Sequence, residues 1–141
     1  MAKFKTKFDS IVKLKKLKID EVNKDISKLN SQLNKINQEL LQIEQEISEF
    51  EYPKNGNFSL ITQFKMLLNA KILELNQKKE NIKFLENQKK ILLEKLKEVN
   101  FEYEKMKYLQ GEEIKKEIKK IKQQEAKNLD EIALMLHKGN R

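Results

Sequence analysis

His137 is the only imidazole in the chain, and there is no cysteine to partner it. Cysteine nucleophiles, disulfides and cysteine-held zinc are excluded at once. A single histidine near the end of a helical pattern reads as a solvated last-turn residue favouring the helix dipole, not as a ligand or a base. The three glycines are scattered, so no glycine-rich loop is present to cradle a phosphate. The residues predict no catalytic group, no metal site, no cofactor and no enzyme. What is left is recognition by surface. The segment NLDEIALML at 128–136 poses that problem, because it displays Leu129, Ile132, Leu134, Met135 and Leu136 in an otherwise strongly polar chain.

The composition says which elements must present this segment. With 37% charged residues, one proline and three glycines, the 141 residues leave few turns to place. A Lys/Glu/Leu-rich chain of this kind points to long helices and coiled coil within one domain's length, not to a globular α/β enzyme. The start, MAKFKTKFDS, is basic but lacks the apolar run of a signal peptide. No stretch approaches the roughly 20 apolar residues of a membrane span. The expectation is a soluble, intracellular chain with no direct membrane insertion.

From Ile19 the apolar residues run Val22, Ile26, Leu29, Leu33, Ile36, Leu40, Ile43, Ile47 and Phe50, in alternating steps of three and four. That is a coiled-coil seam. Traced backwards it passes Lys15, Val12 and Phe8, with Phe4, Ile11, Leu14 and Leu17 widening the stripe. EYPKNGNFS then interrupts the pattern. Pro53 disfavours helix at Tyr52, Asn55 and Gly56 tolerate positive φ, and Asn57 or Ser59 can cap a second helix. A second seam reads Ile61, Phe64, Leu68, Ile72, Leu75, Lys79, Ile82, Leu85, Lys89, Leu92, Leu96, Val99, Tyr103 and Met106. It contains one slip after Leu68 and two lysine interruptions, Lys79 and Lys89.

A short link between two long helices forces them antiparallel. The predicted fold is all-α: an antiparallel two-helix coiled-coil hairpin with a longer second helix overhanging at the termini end. The single domain spans 1–141, with helix 1 at about 3–51, a turn at 52–57 and helix 2 at about 58–137. Folding about the loop leaves everything after about Tyr108 without an internal partner, an overhang on the order of 45 Å. Gly111 marks its beginning, so the tail either continues straight or folds back over the Phe4–Leu17 stripe. An apolar helix face without an internal partner is a docking surface.

The net charge of +8 raises nucleic acid as a partner, but Arg141 is the only arginine, so the bidentate fork used on guanine and phosphate is missing. Charge is polarised instead. The first 18 residues hold seven lysines and one aspartate, whereas residues 39–51 hold five glutamates and no basic residue. Such segregation can orient an encounter with a partner.

Three segments resemble the FliJ family, the small coiled-coil component of the bacterial flagellar protein-export apparatus. KFKTKFDSIVKLKKLKIDE at 3–21 is similar to that family's N-terminal pattern. NFSLITQFKMLLNAK at 57–71 is similar to the start of its second helix, and EAKNLDEIAL at 125–134 to its C-terminal signature. The resemblance implies a stalk that binds the hexameric export ATPase and the cytoplasmic domain of the export gate protein, with export chaperones as further partners. It also implies a cytoplasmic position, peripheral to the inner membrane at the flagellar base.

Carried onto this chain, the ATPase-docking residues implied are Phe4, Phe8, Lys13, Lys16, Leu129, Asp130, Glu131, Ile132 and Ala133. Those implied for the gate are Phe64 and Leu68, with Ile43, Ile47 and Phe50 as counterparts on helix 1. Seam burial would account for the second set equally well. A flagellar and a virulence-type secretion system both remain open at this level. A generic tether, or a chaperone-like clasp for helical clients, is the competing class. It differs in binding clients singly and promiscuously, not one per ring.

Overall fold

A computed structural model describes residues 4–139. Among them there are two elements, helix α1 at Asp9–Ser48 and helix α2 at Phe58–Gly139, and no strand. The fold is an all-α helical hairpin with the longer helix second. The expected helix start near residue 3 lies outside the described residues, and the observed one is set by a cap. Thr6 Oγ1 accepts from the Phe8 N–H at 3.2 Å, while the Thr6 N–H donates back to Asp9 Oδ2 at 3.1 Å. The Asp9 bond is that of a capping box with aspartate in the usual glutamate place, while the Thr6 hydroxyl is taken by Phe8, one residue earlier than the box position.

At the other end α1 stops at Ser48, short of the expected residue 51. The Ser48 hydroxyl donates to the Gln45 carbonyl at 2.6 Å, and the Phe50 N–H reaches the Ile47 carbonyl at 3.2 Å. Asn57 caps α2, its Oδ1 accepting from the Leu60 N–H at 3.0 Å. No described residue, glycine included, has positive φ. The use of Gly56 is therefore closeness, since a Cβ there would meet Leu60 Cβ at 3.2 Å and Pro53 Cβ at 3.3 Å.

The chain divides into two compact units, one of Glu21–Lys97 and one that takes the residues up to Asp20 and from Glu98 onward. In the first, Val22, Leu29, Leu33 and Ile43 of α1 are buried. Seven residues further along α2 corresponds to seven back along α1: Lys71 pairs with Glu46, and Lys78 with Glu39. The helices are antiparallel. In the second unit Ile19 and Val99 are buried, and Lys15 Nζ lies 2.7 Å from Glu102 Oε2.

The expected slip in the α2 seam does not occur. Ile72 is 39% exposed and Lys79 is exposed, whereas Lys71 and Lys78 are half-buried. The seam runs Leu68, Lys71, Leu75, Lys78, Ile82, Leu85 and Lys89 in unbroken steps of three and four. Lysine can occupy these positions because its stem packs while its head reaches a carboxylate flanking the opposite seam. Lys15 on α1 does the same with Glu102. Lys89 is half-buried as expected, with no ion-pair partner among the described residues.

These pairs set a pH window. The ammonium of Lys78 holds the Glu39 carboxyl below its ordinary range, and Lys71 (helped by Gln42) and Lys15 do the same for Glu46 and Glu102. In return the hydrogen bonds from Lys71 and Lys78 to Glu46 and Glu39 raise both amines. A lowered carboxyl contributes stability that is present above its unfolded pKa, about 4, and lost as pH falls through the folded value. A raised amine contributes stability that is present below about 10 and lost as pH rises through its own folded value. Thermal melting followed by circular dichroism should be flat between these limits and fall on both sides. An increase in melting temperature on acidification from about pH 5 to about pH 3 would contradict the pairing.

Candidate functional site

The residues expected at the ATPase-facing end fall into two groups. Phe4 is 37% exposed and Phe8 is half-buried, with Lys7 Nζ 5.3 Å from the Phe8 ring centre. Lys13 and Lys16 are exposed on the first turns of α1. Lys16 Nζ lies 3.7 Å from Asp20 Oδ1 and 5.9 Å from the Tyr103 ring centre. This group is fixed to α2 by a contact the sequence did not announce: Gln110 Nε2 donates to Asp9 Oδ1 at 2.9 Å. Hydrogen bonds from Thr6 first and Gln110 second hold the Asp9 carboxyl below its ordinary range.

The second group is Leu129, Asp130, Glu131, Ile132 and Ala133, all exposed. α2 passes Gly111 without a break, and every residue from Ile121 to Gly139 is exposed. The tail is not folded over the Phe4–Leu17 stripe. From Gln110, which faces the start of α1, to Leu129 is 19 residues, or about 28 Å of helix at 1.5 Å per residue. The two groups are therefore separate surfaces of one unit, not a single patch. The tail's apolar residues are open to solvent, with Leu129 66%, Ile132 53% and Met135 72% exposed.

The residues expected to face the gate lie together within the Glu21–Lys97 unit, but they differ in access. Ile43 is buried in the seam, and Ile47 and Leu68 are half-buried. Phe50 and Phe64 pack edge to face with ring centres 5.8 Å apart. Tyr52, which seam reasoning passed over, joins them at 5.2 Å from Phe64 and keeps 58% of its surface exposed. Its signal was present in the sequence as the aromatic two residues beyond Phe50, just before Pro53. The three rings pack against one another at the loop end of the seam, and Tyr52 is the most exposed of them.

Among the described residues no group of three or more His, Asp or Glu side chains is placed to hold a metal ion. None of the described helices is long and apolar enough to cross a membrane. What the described residues form is a helical hairpin whose second helix carries an uncovered apolar tail. Compared with models of known families, the chain matches that described as "Flagellar FliJ protein" over residues 4–141. The chain belongs to the FliJ family and is a component of the flagellar export apparatus. Neither the curated proteins nor the solved structures contain a match to it.

Proposed function

We propose that this chain is the stalk of the flagellar export apparatus, joining the hexameric export ATPase to the cytoplasmic domain of the export gate. The observation that carries the ATPase half is the uncovered tail, in which Leu129, Ile132 and Met135 stay exposed on a helix with nothing folded against it. Phe4, Phe8, Lys13 and Lys16 form a second contact zone on the same unit. Two zones about 28 Å apart suit a ring, whose subunits can be touched at different depths. A stalk makes no bonds. It favours some nucleotide states of the ring over others by contacting them unequally, and binding then shifts their populations.

The gate half rests on Phe50, Phe64 and Leu68, with Ile43 and Ile47 as the packed base beneath the rings. With these two partners the chain works on the cytoplasmic side, peripheral to the inner membrane at the flagellar base. A different observation favours a second reading, a clasp for helical clients such as export chaperones. On α2, Met66, Leu73, Phe84 and Ile91 are each more than half exposed. The two readings separate on stoichiometry. Mixed with the purified ATPase under nucleotide and measured by mass photometry, a stalk adds one copy per hexamer. Six copies per hexamer, or no binding, would reject the stalk.

A further inference from the structure

The apolar residues of the tail do not continue the hairpin seam. Past Gln110 that seam's positions fall on Glu113, Glu117, Lys120, Gln124, Lys127 and Glu131, all polar. A new row begins on a different face of the same helix: Ile118, Ile121, Glu125, Asn128, Ile132 and Met135, again in strict steps of three and four. Two seams on one helix mean two different partner helices, because a seam faces only one. The first faces α1. The second is open, with Ile118 37%, Ile121 42% and Ile132 53% exposed.

The order of residues along this row identifies what fits it. Reversed end for end, the row reads the same in kind. Ile118 falls opposite Met135, Ile121 opposite Ile132, and Glu125 opposite Asn128. Charge favours the same direction. Residues 115–122 carry five lysines against Glu117, while the stretch opposite them under that reversal, 131–138, carries Glu131 and Lys138 and has no net charge. Antiparallel pairing with an identical helix sets the lysine-rich stretch of one against the neutral stretch of the other and keeps the two lysine-rich stretches apart. Parallel pairing would stack lysines on lysines and set Glu125 against Glu125.

We infer that the tail is an antiparallel homodimerisation helix whose occupant is a second copy of this chain. The two-fold axis passes between Glu125 and Asn128, and the interface is isologous. Polar residues at the centre weaken such a seam while fixing its register and direction, so the dimer is reversible. Because Ile132 lies in both surfaces, a paired tail is withheld from any other partner. The inference does not depend on the identity of that partner, and its test contains none.

The absence of cysteine makes the test direct. Full-length Ile118→Cys and Met135→Cys are prepared separately, mixed under mild oxidation and resolved on non-reducing gels, alongside sedimentation of the unaltered chain. The expected result is a disulfide between the two variants and little in either alone. In the antiparallel dimer each residue lies about 25 Å from its own counterpart, 17 residues along the helix. Sedimentation should show a monomer–dimer equilibrium. Ile121→Asp should raise its dissociation constant about a hundredfold or more, through burial of an unpaired charge. Glu125→Leu should lower it. Monomer at all concentrations up to the millimolar range, or Ile118→Cys crosslinking to itself as readily as to Met135→Cys, would overturn the assignment.

Discussion

Ile132→Asp is expected to abolish stimulation of the export ATPase while leaving helicity and melting temperature nearly unchanged. Ile132 is 53% exposed on a helix face that nothing covers, so a carboxylate there stays solvated in the free protein. Placed against the apolar surface of a ring subunit, the same carboxylate must shed water without gaining a partner, which costs several kcal/mol. At about 1.4 kcal/mol per factor of ten, that is a loss of binding of a hundredfold or more. Melting should be recorded on dilute protein, where self-association of the tail does not contribute. Unchanged stimulation would reject the tail as the ATPase contact. A large drop in melting temperature would mean that Ile132 is packed in the free chain.

The hairpin was legible in the sequence because its α1 seam never misses a step between Ile19 and Phe50, and because one short proline-bearing segment interrupts the pattern. Asn57 was legible as a cap for the same reason: its amide stands just ahead of an apolar periodic run. The α2 seam was misread at Ile72 and Lys79. Ranking positions by hydrophobicity selects Ile72 over Lys71 and forces a slip. Strict spacing from Leu68 selects Lys71, Leu75 and Lys78 and needs none. Spacing wins because Glu46 and Glu39 stand across the seam to receive the ammonium groups, information that resides in α1 and not in α2. The same holds for Asp9 and Gln110, whose contact spans the hairpin and leaves no local trace.

For the docking surfaces, residue types were readable and geometry was not. Seam arithmetic foresaw that the tail lacks a partner, but it did not decide between a straight and a folded-back tail at Gly111. An uninterrupted α2 is favoured by its local sequence: Glu112, Glu113, Ile114 and Lys115 are helix-compatible on one side, and Leu109 and Gln110 on the other. A single glycine in such a context costs only about 1 kcal/mol relative to alanine. That continuity is what separates Phe4 and Phe8 from Leu129 and Ile132, which the family pattern alone would group at one end.

Leu33→Ala should destabilise the chain by about 2–4 kcal/mol, the range for deleting a well-packed aliphatic side chain. Leu33 is 8% exposed and sits mid-seam on α1. The observed register also fixes the outcome of three lysine variants. Lys79→Leu should leave the melting temperature nearly unchanged, because residue 79 is exposed and outside the seam. Lys89→Leu should raise it, because a half-buried lysine stem with no ion-pair partner among the described residues is replaced by a seam aliphatic. Lys78→Leu should gain less than Lys89→Leu, since it strands Glu39 beside the seam. A gain at Lys79→Leu larger than at Lys89→Leu would restore the slipped register, and the assignment of Lys71 and Lys78 to the seam would then be wrong.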